Sequence, residues 1–165
     1  MSATELWTES YQGEVLGETL FGWLADHEEN PERKYQLQML TLLERATKEL
    51  AEPVFERRGI PRGDTEGTAA SALELARGVS DLPWEDFMAG IIPVTVEFLG
   101  KYRQLVELAP DDVERQIAEA YVHHEEALAS FARRASRQEA GDPVELILTL
   151  PHVVAATSEE STVTG

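Results

Sequence analysis

Apolar residues return every three or four positions along four long stretches of this chain, and nowhere do they sustain the alternation of a half-buried strand. That period admits helices and little else, so the expected fold is all-α. The stretches are punctuated cleanly. The first helix is expected from about Thr4 to Glu28, with Ser2 or Thr4 as cap. "NPER" opens the second, which should run from about Pro31 to Arg58 and bend at Pro53. After the loop "IPRGDTEGT" comes a short insert, about Glu66 to Arg77. Ser80 or Asp81 should cap a third long helix, about Pro83 to Leu108, with a kink at Pro93. "APDD" leads into the fourth, about Asp111 to Gln138. A short apolar helix from Val144 to Leu150 ends at Pro151. Residues 1–152 then form one domain and 153–165 a flexible polar tail. Four long helices joined by short loops, with one long crossover between the second and third, make an antiparallel four-helix bundle.

Charge and composition narrow the partners. The 165 residues carry 31 acids against 14 bases, a formal net charge of -17. Nucleic acid and anionic membrane surfaces are therefore disfavoured as partners. There is no cysteine, which removes disulfides, thiolate metal sites, iron–sulfur clusters and thiol nucleophiles. Any metal would need carboxylate and imidazole ligands. "MSATELWTES" lacks the basic and apolar regions of a signal peptide, and no apolar run is long enough to span a bilayer, so a cytoplasmic chain is the expectation. Nucleotide-binding glycine loops and nucleophile elbows are absent.

Phasing each helix by its apolar stripe brings polar residues to the core face. On the second helix Glu44 falls within or beside the stripe of Leu37, Leu40, Leu43, Leu50 and Val54. On the third, Glu97 borders the stripe of Phe87, Ile91, Val94, Phe98, Leu105 and Leu108. On the fourth, His124 is central among Val113, Ile117, Tyr121, Leu128 and Phe131, with Glu125 at the flank and His123 and Glu126 outside. On the first, Gly13 and Gly17 permit close approach, and Glu14 or Glu18 points inward. Inward acids and an imidazole at mid-height on four helices suit divalent metal, because unpaired buried carboxylates repel one another. The competing reading is a charge-paired surface: Glu97 with Lys101 and Glu44 with Lys48 are both spaced four apart.

"GEVLGE", "LLERATKEL", "TVEFLGKY" and "YVHHEEAL", in that order on the four helices, resemble the ferritin-like superfamily of carboxylate-bridged dimetal proteins. The resemblance implies a small oxidoreductase that activates oxygen or peroxide, with two iron or manganese ions held by Glu14 or Glu18, Glu44, Glu97 and His124. Glu125 would be an auxiliary ligand or base, and Tyr121 a neighbouring redox or hydrogen-bonding residue. The family's Glu-x-x-His pairs are broken twice: Thr47 follows Glu44, and Tyr121 precedes His124. Two rival readings stay open beside it. One is a metal-free bundle whose polar core holds a small molecule or fixes helix register. The other is an enzyme using His124 and a glutamate as an acid–base pair. Iron storage is disfavoured, and pairing of two copies through a helix face is the general prior for bundles.

Overall fold

The computed structural model of the chain describes residues 1–163, with side chains to residue 159, and among them there is no strand. The helices are α1 (Ala3–His27), α2 (Pro31–Leu50), α3 (Glu52–Arg58), α4 (Thr65–Val79), α5 (Trp84–Leu108), α6 (Asp112–Ala135) and α7 (Pro151–Val163), with a 3₁₀ turn at Ile147–Thr149. Their starts are written in the sequence. Ser2 and Glu5 close a reciprocal capping box on α1. Asn30 caps α2 ahead of Pro31, and Asp111 caps α6 by accepting from the Glu114 amide.

Several boundaries differ from the expectation. The second helix breaks at Ala51, so Pro53 falls in the first turn of α3, where its missing N–H costs nothing. The cap of α5 is Pro83, with no side-chain hydrogen bond, rather than Ser80 or Asp81. Pro151 opens a helix instead of ending one. Residues 153–163 of the expected flexible tail belong to α7, with Val153 fully buried, while residues 164–165 lie outside the described part. The apolar stretch before Pro151 makes only the single 3₁₀ turn.

Helix α1 packs against α2, α4 and α5, α2 also contacts α6 and α7, and α5 lies along α6. The apolar interior is divided into two clusters. One gathers Leu20 and Phe21 of α1, Leu40 and Leu43 of α2, Met88 of α5 and Leu128 and Phe131 of α6. The other gathers Leu6, Trp7 and Tyr11 of α1, Val54 and Phe55 of α3, Tyr102 and Leu105 of α5 and Tyr121 of α6. Along α6, His124 lies between that helix's contributions to the two clusters, while Glu14 sits one residue before Val15 of the second cluster and Glu44 one residue after Leu43 of the first. Glu14, Glu44 and His124 thus meet near the junction of the two apolar clusters.

Candidate metal centre

Glu14, Glu44 and His124 each offer a ligand atom, and the three atoms lie within 4.8 Å of one another. Glu14 Oε1 is 3.4 Å from His124 Nδ1, and Glu44 Oε1 is 3.4 Å from His124 Nε2. All three residues are at least 96% buried, as read from relative exposures of 1%, 4% and 1%. Glu125, 3% exposed, lies beside them and lines the same cavity as Glu14 and Glu44.

The backbone makes room for this cluster. A Cβ on Gly17 would stand 2.6 Å from the Glu44 carboxyl carbon, so the carboxylate lies against bare α1 backbone. Glycine in a helix interior costs roughly 0.5–1 kcal/mol relative to alanine, and here that cost accompanies a carboxylate seated on the helix. Helix α5 contributes Tyr102, whose hydroxyl donates to Glu14 Oε1 at 3.0 Å.

Electrostatics are set by burial and by too many acids. Burial, then the nearby Glu44 carboxylate, pushes the Glu14 carboxyl well above the usual range. Burial pushes Glu125 up to about 8, against the pull of His124. Burial opposes protonation of His124, but Glu44 and Glu125 outweigh it and its pKa lies above the ordinary value. Burial first and Glu14 next keep the Tyr102 and Tyr121 phenols neutral far above their usual range. Two polar atoms at the centre, Glu14 Oε2 and His124 Nδ1, have no hydrogen-bond partner. An unsatisfied buried group costs about 1–3 kcal/mol, more when it is charged.

Glu114 is the informative contrast. It is equally buried, but accepts from Trp7 Nε1 at 2.9 Å and from the Arg57 guanidinium at 3.1 Å, and pairs with Arg58. Its charge is answered within the chain. The charge around Glu14 is not: three carboxyls face one imidazole.

The donor set tests well against a metal ion. Imidazole nitrogen and carboxylate oxygen suit Fe²⁺, Mn²⁺ or Zn²⁺. The three atoms lie within 4.8 Å of one another, so an ion would have to draw the widest pair in to the ~4 Å that two ligands span at ordinary bond lengths. Glu14 Oε2 and His124 Nδ1 are the orphaned atoms such an ion would take up.

Other expected residues fall elsewhere. Glu97 is on the surface, with its side chain 65% exposed and paired with Lys101 at 2.8 Å. The buried line of α5 is Met88, Thr95, Tyr102 and Leu105, while Val94 and Leu108 are exposed. Five residues turn an α-helix about 140°, so a face that buries Tyr102 turns Glu97 away. Glu18 is partly buried at the edge of α1, bound to Arg45 at 3.2 Å and to Lys48. Lys48 thus pairs with Glu18 and not with Glu44. Tyr121 is buried in the Trp7–Tyr102 cluster, its ring centroid 6.3 Å from that of His124 and its hydroxyl without a partner. Val113 of the expected α6 stripe is exposed. His123 and Glu126 are exposed, as their phase predicts. Sequence reading missed Tyr102, although Met88, Thr95 and Tyr102 recur every seven residues, a helical period that marks one face.

No family model, curated protein or solved structure matches the chain. Among the described residues, no helix is long and apolar enough to cross a membrane.

Proposed function

We propose that this chain is a metal-binding helical bundle of ferritin-like arrangement, and that the metal serves an oxidoreductase activity toward oxygen or peroxide. The observation that carries the reading is the trio of Glu14, Glu44 and His124, fully buried and converging within 4.8 Å, with orphaned donor atoms on two of its members. The bundle arrangement is supported by the pairing of α1 with α2 and of α5 with α6, joined by α1–α5 and α2–α6 contacts. The trio fits one ion better than two, because Glu97 is remote from it.

Bound iron or manganese would supply the redox chemistry that these side chains lack. The chain's own residues have separable tasks. Glu14, Glu44 and His124 bind. Tyr102 fixes the Glu14 carboxylate by donating to Oε1. Glu125 holds a proton near neutral pH, on a carboxyl that reaches the cavity. The apolar walls of that cavity exclude water and so strengthen every charge interaction inside.

A second reading, a metal-free polar core, has one observation in its favour. Burial and the neighbouring Glu44 carboxylate raise the Glu14 pKa, which lets Glu14 carry a proton when no cation is present. Metal analysis decides between the two. Protein purified without chelator and reconstituted anaerobically with Fe²⁺ or Mn²⁺ is expected to hold about one ion per chain. His124→Ala and Glu44→Ala should each weaken retention at least tenfold. Wild-type protein that holds no iron, manganese or zinc after reconstitution would end the metal reading and leave the polar core.

A further inference from the structure

A cavity of about 410 Å³ runs from the carboxyls of Glu14, Glu44 and Glu125 outward between α1, α4 and α5. Its size is within the range of pockets that enclose small organic molecules. Leu16, Leu20 and Phe21 of α1, Ile91 and Phe98 of α5 and Leu128 of α6 form its walls. At the mouth, Leu75 of α4, Leu82 just after it and Val94 of α5 are each 44–51% exposed. The polar side chains that line it are Glu14, Glu44, Glu125, Asp86 and Tyr102, and none is basic. The Tyr102 hydroxyl is already committed to Glu14.

We propose that this cavity binds an uncharged, hydrocarbon-rich molecule with one end against the carboxylate centre, and that this molecule is the substrate of the metal site. The inference rests on the metal reading for the word substrate, but the cavity's selectivity follows from its own walls. An anion would meet acids at both the blind end and the mouth, with no guanidinium or ammonium to receive it. A strongly polar neutral molecule would lose its hydration along walls that offer nothing in return. An alkyl chain or ring loses nothing polar and removes apolar wall from water. A cation is the one charged class the acids would welcome. With a divalent ion among Glu14, Glu44 and His124, its charge and those of the two carboxylates cancel, so the blind end attracts neither a cation nor an anion by net charge.

Three probes with one chain length separate these cases: 1-octanol, octanoate and octylamine. Binding is measured by titration calorimetry on Mn²⁺-loaded and metal-free protein, and by methyl NMR shifts of Leu20, Ile91 and Leu128 on metal-free and diamagnetic Zn²⁺-loaded protein, with metal content assayed in parallel. The expected result is octanol binding to loaded protein at least tenfold tighter than octanoate or octylamine, with shifts at those methyls. Gly90 lines the cavity, and a Cβ there meets nothing within 4 Å, so Gly90→Phe adds bulk without a built-in clash. Gly90→Phe and Ile91→Trp should each weaken octanol at least tenfold while metal content stays at the wild-type level. Octanoate binding as tightly as octanol, or octanol binding unchanged in both variants, overturns the proposal. So does octylamine binding metal-free protein tenfold tighter than octanol and being displaced by Mn²⁺, which would make the cavity a cationic-amphiphile site. If no metal is retained but octanol still outbinds octanoate and both fillers weaken it, the metal reading falls and the cavity's ligand class stands.

Discussion

His152 on α7 donates from Nε2 to Thr47 Oγ1 on α2, at 2.9 Å. The direction follows from Thr47, whose own proton goes to the Leu43 carbonyl at 2.8 Å. A threonine thus stands three residues after Glu44, and an imidazole reaches it from the C-terminal helix. Burial, with the charges of His124 and His123, pushes the His152 pKa down to about 4.

That depression predicts a pH window. A histidine with a lowered folded pKa contributes stability that is complete above its unfolded value near 6.5. The contribution is lost as pH falls through about 4, because only the unfolded chain takes up the proton in between. After allowance for residual solvent access, the loss is on the order of 2 kcal/mol. Urea unfolding of wild type and His152→Gln between pH 7 and pH 4 should show the wild type losing that much more. Parallel profiles would remove His152 as the cause.

Gly17→Ala should separate metal binding from stability. The added methyl occupies the space of the Glu44 carboxyl group, which must swing away. Metal affinity is expected to fall at least tenfold. Thermal stability should shift by no more than about 1 kcal/mol, because alanine's helix preference offsets part of the clash. Unchanged affinity would mean that Glu44 binds equally well from another rotamer.

Two buried glutamates should respond in opposite ways to the same substitution. Glu114→Gln weakens the charge-assisted hydrogen bonds from Arg57 and Arg58 and should destabilise the fold by about 1.5–3 kcal/mol. Glu14→Gln relieves crowding among three carboxyls and should leave metal-free protein within about 1 kcal/mol of wild type or more stable. Chemical denaturation of both variants without metal checks this, and equal losses would contradict it.

Glu97→Gln should change metal content by less than twofold and stability by less than about 0.5 kcal/mol, as befits an exposed pair. A large loss of metal would put Glu97 back among the ligands and undo the single-ion reading.

What the sequence disclosed depended on how many neighbours each residue needed. Helix starts were legible, because Ser2, Asn30 and Asp111 act on amides two or three residues away. Glu44 and His124 were legible because each sits on a stripe with a single sensible phase. Helix α5 was not, because "MAGIIPVTVEFLG" is apolar on several faces and its buried side is decided by α6 and α1. Choosing the Val94–Leu108 stripe brought Glu97 inward and hid Tyr102. His152 was unreadable for another reason. Its role exists only once α7 packs on α2, and the segment's small polar residues gave no apolar period to announce a helix.

The division of the interior into two apolar clusters bears on how the protein comes apart. Each cluster holds pieces of α1, α5 and α6, so either half retains a core if the other opens. The junction at His124, where buried acids replace apolar contacts, is then expected to be a seam between two cooperative units. Native-state hydrogen exchange on metal-free protein would find amides grouped on either side of the seam with different opening energies. An ion at the seam would act as a rivet, merging the two groups into one.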